Sequence, residues 1–247
     1  MTTLTWSGCR NVRDLGGLPT RCGRGVRPRR LVRSDNVAGL DDNGFRALLD
    51  YGVARVIDLR GGISSEPEPG GQEANVDPLV VRVPWIDPER DGERDPKAER
   101  TLADVYRGSL DRNVRRVAAV VREFLGSPSG PVVLHCAAGK DRTGLAVALL
   151  LETAGVPREQ VVADYALSEE ALGIPAVLAD HPGPPEARAH AEEHWRTRPG
   201  TMAAALEHLD ASYGGVEGYL LGPCRLTSSE VEAVRDRLTR PQVDVVQ

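Results

Sequence analysis

The chain is predicted to adopt an α/β fold, with a mainly parallel central sheet flanked by helices on both faces and a helical C-terminal region. Three observations predict this. Apolar runs at 53–59, 79–83 and 131–135 are continuous rather than alternating, as in strands covered on both faces. Segments with helical spacing alternate with them, the pattern of a parallel sheet with crossover helices. From about residue 157 the chain reads as helix to its end, punctuated by proline and glycine. Neither repeats nor a second domain signal appear, so residues 1–247 are expected to form a single domain.

Each element has a local cause. Asn11 to Gly17 and Arg30 to Ser34 flank a turn rich in Gly, Pro and Arg, which predicts a small hairpin. Asp41 is placed to cap a helix carrying Phe45, Leu48 and Leu49, and Gly52 to end it before the strand Val53 to Leu59. Residues 61–77 and 87–99 have the composition of loops and bracket the strand Leu79 to Val83. From Thr101, the residues Leu102, Val105, Tyr106, Leu110, Val114, Val117, Val121 and Leu125 fit helical spacing, with an interruption expected near Gly108-Ser109. After the strand 131–135 and a short polar turn, Leu145 to Leu151 begin another helix. Breaks are expected at His181 to Pro185, Pro199-Gly200, Gly214-Gly215 and Gly222-Pro223.

Composition narrows the function classes. A formal net charge of −5 carries no basic footprint for nucleic acid, and no apolar run approaches membrane-helix length. The first residues lack the basic start and apolar core of a signal peptide, which predicts a cytoplasmic location. Cys9, Cys22, Cys136 and Cys224 form neither a C-x-x-C pair nor a zinc pattern, which leaves room for one reactive thiol. His190 and His194 share a helix face at i, i+4 but lack a third ligand, so no metal is expected there. Met202, Leu206 and Leu209 read as core.

The stretch LHCAAGKDRTG, residues 134–144, joins a strand to a helix and concentrates the chemistry. A glycine-bearing loop there aims several N–H groups at one point, and the helix N-terminus adds partial positive charge. An oxyanion fits such a place. The same field favours a thiolate at Cys136 and so predicts a nucleophile at neutral pH. Arg142, six residues on, offers a planar fork for two phosphate oxygens. A nucleotide-binding P-loop is excluded, because Asp141 follows Lys140 where Ser or Thr belongs and Leu134 replaces the first glycine. Lys140 is one of only two lysines beside 29 arginines, so an ammonium stands there against the drift of the composition.

The Cys-x5-Arg spacing, preceded by His135 and closed by Thr143-Gly144, resembles the loop of the cysteine-dependent tyrosine and dual-specificity phosphatases. With NVRDLGG at 11–17, Arg33-Ser34, VIDLR at 56–60, DYAL at 164–167 and VEGYL at 216–220, the chain is similar along nearly its whole length to the bacterial tyrosine phosphatases carrying an HCxAGKDRTG loop. The resemblance implies a tyrosine-phosphatase-like fold and a phosphocysteine route. Cys136 attacks phosphorus, while Arg142 and the backbone of Ala137, Ala138, Gly139, Lys140 and Asp141 hold the phosphate oxygens. Thr143 is expected to donate to the sulfur when the thiolate leaves, and His135 to brace the loop. Two carboxyls compete as general acid: Asp141, inside the loop, and Asp87, in a loop after a strand where superfamily members often keep one. For each, a loop-capping role is the alternative. Arg13 and Asp14 are expected to pair and support the floor of the site. No cofactor is implied, because thiolate and guanidinium take over the roles of a metal ion. The implied partners are phosphorylated proteins and, from the resemblance of the Lys140 position to phosphoinositide phosphatases, phosphoinositides. A rhodanese-like sulfur-transfer or thiol redox protein and a non-catalytic phosphate-binding module are the alternatives; Arg142 counts against the first, and the retained Cys136 and Arg142 against the second.

Overall fold

The computed structural model describes residues 1–61 and 79–239. Six strands form one sheet: β1 (Thr2–Thr3), β2 (Arg13–Asp14), β3 (Leu31–Ser34), β4 (Arg55–Asp58), β5 (Val80–Arg82) and β6 (Val132–His135), in the order β1-β2-β3-β6-β4-β5. The four strands from β3 to β5 are parallel, and the β1 and β2 edge is antiparallel, so the expected hairpin joins β2 to β3. The Gly, Pro and Glu-rich stretch expected as a loop at 61–77 lies, after Gly61, outside the described residues.

Alternation along the strands divides the interior in two. Leu31, Ile57, Val132 and Leu134 face one core, and Val32, Val56 and Val133 the other. Helix α1 (Asp42–Asp50) and the N-terminal segment cover the second face through Leu48, Phe45 and Trp6. Asp41 caps α1 as expected, accepting from the N–H groups of Asn43 and Gly44, and Gly52 follows its end with φ +74°.

The larger face carries most of the helices. After the single turn α2 (Pro88–Asp91) come α3 (Leu102–Arg112) and α4 (Val114–Gly126), then α5 (Arg142–Thr153) and α6 (Arg158–Ala166). The C-terminal region continues through α7 (Ser168–Ala171), α8 (Ile174–Ala179), α9 (Pro185–Trp195), α10 (Pro199–Tyr213), α11 (Val216–Leu221) and α12 (Ser228–Thr239). Thr101 starts α3 through a reciprocal capping box with Asp104. The interruption expected at Gly108-Ser109 falls instead at Asn113, where the chain turns from α3 into α4. Asn113 ties the turn together, its Nδ2 donating to the Ser109 carbonyl and its Oδ1 accepting from the Asp87 amide. Gly108 stays helical because its missing side chain makes room for Glu99, whose Oε1 would lie 2.2 Å from a Cβ there.

Helix α5 is apolar all round, with every residue from Thr143 to Leu151 buried. It lies between the sheet and α4, α6, α11 and α12. Its N-terminus therefore projects from the interior of the molecule toward the carboxyl edge of the parallel strands, the edge where open α/β sheets place their ligands.

Candidate active site

The carboxyl ends of three neighbouring strands lie in one row, with Ser34 and Asp58 each paired in register with His135. Polar residues occupy this row although all three are fully buried, so each side chain needs a partner. Asp58 Oδ1 accepts from the Arg60 amide and Nε, and its Oδ2 from Nη2 of the same arginine. Burial pushes the Asp58 carboxyl up, but Arg60 and nearby His135 hold it below the ordinary carboxylate value. His135 Nε2 lies 3.7 Å from Asp58 Oδ1, and its Nδ1 lies 3.2 Å from the Cys136 carbonyl oxygen. The ring thus lies between strand and loop.

From Cys136 the chain turns through Ala137, Ala138, Gly139, Lys140 and Asp141 into Arg142, the first residue of α5. The carbonyls of this loop are held from outside. Ala137 O accepts from the Asn36 amide at 3.1 Å, Ala138 O and Gly139 O from Asn11 Nδ2 at 3.0 and 3.2 Å, and Gly139 O also from Arg33 Nη2 at 2.6 Å. Among the described residues, the N–H groups from Ala137 to Asp141 donate to no protein acceptor. With its carbonyls held outward and its amides unused at the N-terminus of a buried helix, the loop suits a tetrahedral oxyanion. Gly139 is required for the turn, because it holds φ +66° and a Cβ would lie 2.2 Å from the Ser34 carbonyl oxygen.

The outward grip rests on a buried charged cluster. Asp164 of α6 receives Arg33 Nη1 at 2.5 Å and Arg13 Nε at 3.0 Å, and Arg13 Nη1 in turn donates to Asn11 Oδ1 at 2.5 Å. Burial raises the Asp164 carboxyl, and the two guanidinium groups overcome this and hold it below its usual range. The expected Arg13–Asp14 pair is absent. Neighbouring residues on a strand face opposite ways, so while Arg13 reaches Asp164, Asp14 accepts from the amides of Gly16 and Arg29 and from the Tyr51 hydroxyl.

Asp141 and Arg142 line a pocket of about 240 Å3 together with Ile86, Asp91, Arg94 and Tyr106. Asp141 Oδ1 accepts from the Tyr106 hydroxyl and from Lys140 Nζ, each at 2.7 Å, and Tyr106 also meets the Tyr165 hydroxyl at 3.0 Å. Burial, reinforced by Asp141, pushes the Tyr106 phenol far above its ordinary value, so Tyr106 remains a donor. Lys140 Nζ also donates to the His194 carbonyl at 3.0 Å, joining the loop to α9. Cys136 is buried at the base of the loop, and the fully buried hydroxyl of Thr143, the second residue of α5, has no partner among the described residues. Asp87 stands apart from this group: its side chain accepts from the Glu89 amide as the cap of α2 and lines a different pocket.

The remaining candidates lie outside the loop. The His190 and His194 rings stack at 4.1 Å, and no group of three metal-ligating side chains occurs among the described residues. Cys9 is half-buried, Cys22 exposed and Cys224 buried. Met202, Leu206 and Leu209 lie in the core.

Comparison with known proteins agrees with this arrangement. A model of the tyrosine phosphatase family matches residues 4–240. A tyrosine-protein phosphatase of Nostoc commune is 32% identical across 84% of this chain and 73% of its own length. The triple specificity protein phosphatase PtpB of Mycobacterium tuberculosis is 29% identical across 86% of this chain and 91% of its own. The matched region runs from the first turn of the chain to the last helix, and so takes in the whole frame around the 136–142 loop: the chain belongs to the tyrosine phosphatase family and is an enzyme of that kind.

Proposed function

We propose that the protein removes phosphate from phosphotyrosyl proteins through a phosphocysteine intermediate. The observation that carries this reading is the loop itself, with its carbonyls tied to Asn11, Arg33 and Asn36 and its amides left for an anion above Cys136. Cys136 attacks phosphorus, the loop amides and Arg142 stabilise the equatorial oxygens, and Asp141 gives its proton to the leaving phenolate or alkoxide. The preference for Asp141 over Asp87 is supported by its place in the same pocket as Arg142, whereas Asp87 is engaged as a helix cap. Thr143 then supports the departing thiolate during hydrolysis by water.

Substrate range extends, in this reading, beyond phosphotyrosine to phosphoserine, phosphothreonine and phosphoinositides. The name of the mycobacterial relative supports breadth, and Lys140 is the residue for a second phosphate on an inositol ring. Its ammonium then has to leave the His194 carbonyl for the ligand. Turnover of p-nitrophenyl phosphate without added metal, blocked by vanadate and abolished in Cys136→Ser, is the expected result. Arg142→Lys is expected to lose on the order of 10²–10³ in kcat, since a point charge does not reproduce the fork. Wild-type turnover in Cys136→Ser would overturn the mechanism.

A further inference from the structure

Helix α2 and the α3–α4 junction stand between two pockets. On one side is the pocket of Asp141 and Arg142, which also takes Asp91 and Asn113. On the other is a larger one, of about 510 Å3, lined by Arg90, Arg112, Arg115, Arg122 and Arg225. Arg112 lines both. Two carboxylates, Asp87 and Glu89, also face the larger pocket, so five guanidinium groups outnumber them in a chain whose formal net charge is −5. Some of these arginines are already neutralised: Arg90 pairs with Glu93, Arg112 with Glu99 and Arg122 with Glu230. Arg115 and Arg225 are exposed and form no ion pair among the described residues. Arg225 is also one of two non-glycine residues in the left-handed region among the described residues, with φ +55°, and its carbonyl is held by Arg122 Nη2 at 3.0 Å. The tie fixes the turn that presents this guanidinium.

From the proposed phosphatase reading, we infer that this arginine pocket is a second anion site for the same substrate, taking an acidic or phosphorylated side chain that flanks the phosphotyrosine. A helix is about 10 Å across and an extended peptide advances about 3.4 Å per residue, so roughly three residues span the width of α2, whose Asp91 lines the pocket of Arg142 and whose Glu89 and Arg90 line the arginine pocket. Arg115 and Arg225 supply the unneutralised charge, and Arg112, between the pockets, faces both ends of the peptide. Carboxylates and phosphates both suit guanidinium forks, phosphate more strongly through its higher charge.

The test compares phosphotyrosyl peptides carrying glutamates or a phosphoserine about three residues from the phosphotyrosine with a peptide carrying alanines there. The wild-type enzyme is expected to favour the charged peptides by roughly tenfold in kcat/KM at low salt, the effect of one charge-assisted hydrogen bond, and to lose that preference as salt rises. The double variant Arg115→Ala/Arg225→Ala is expected to treat all the peptides alike while hydrolysing p-nitrophenyl phosphate at the wild-type rate. Equal handling of the peptides by the wild-type enzyme, or a preference that survives in the double variant, would overturn the inference. So would unchanged peptide selectivity accompanied by lost binding to phosphatidylserine vesicles, which would assign the arginines to a membrane surface. A chain inert toward p-nitrophenyl phosphate would instead remove the phosphatase reading beneath it.

Discussion

Asp141 sits among an ammonium, a buried phenol and the guanidinium that opens α5, and its chemistry depends on all three. As the proposed proton donor it matters most when the leaving group is a poor one. Asp141→Asn is therefore expected to cost on the order of 10²–10⁴ in kcat for phosphoserine peptides and far less for p-nitrophenyl phosphate, whose phenolate leaves unaided. Equal losses on both substrates, measured as a series over leaving-group acidity, would reassign Asp141 to a structural role. Asn11 works at one remove, through the two loop carbonyls that it holds. Asn11→Ala releases the Ala138 carbonyl, while Arg33 still holds that of Gly139. The expected result is weaker vanadate inhibition by about tenfold, the worth of one lost charge-assisted contact, with the far-ultraviolet circular dichroism unchanged.

Local signals explain most of the elements. The apolar runs became β4, β5 and β6, and Asp41 and Thr101 cap the helices they precede. Thr101→Ala breaks a reciprocal cap and is expected to cost about 1 kcal/mol, read as a lower urea midpoint at constant m-value. The turn between β6 and α5 was legible for the same reason, since its strand, turn and helix signals follow one another in the sequence. Elements set by distant partners were not. The α3–α4 break falls at Asn113 because the Asp87 amide, 26 residues earlier, binds its side chain. Asp87, weighed as a loop acid or a capping carboxylate, caps the helical turn that Pro88 starts. Tyr106 fits a core stripe by spacing, yet its hydroxyl reaches Asp141, 35 residues on. Arg33, a charge that follows the apolar pair Leu31-Val32 in its strand, has its partner Asp164 131 residues away.

At the scale of the whole molecule, the Arg13–Asp164–Arg33 cluster locks β2, β3 and α6 to the loop. Asp164→Ala leaves two buried guanidinium groups without their carboxylate and is expected to destabilise the fold by about 3–5 kcal/mol in chemical denaturation. The same cluster sets an acid limit. Asp58 and Asp164 are held below their ordinary carboxyl values, so their contribution is complete above about pH 4, the unfolded carboxyl value, and is lost as pH falls through the lower folded values. At the other end, burial raises Cys9 and Cys224 from 9.0 to about 12, so stability that is intact below pH 9 is lost as pH rises toward 12. A stability profile with a plateau between these limbs is expected, and Asp164→Asn is expected to flatten the acid limb specifically.

In the proposed mechanism phosphate passes through the sulfur of Cys136. Rapid acid quench of the enzyme during turnover of a 32P-labelled phosphotyrosyl peptide, followed by digestion and mass spectrometry, tests it directly. Label is expected on the peptide containing Cys136, absent from Cys136→Ser and longer-lived in Thr143→Ala, where the departing thiolate loses its hydroxyl donor. Label on another residue, or full turnover with no labelled enzyme at any quench time, would contradict it.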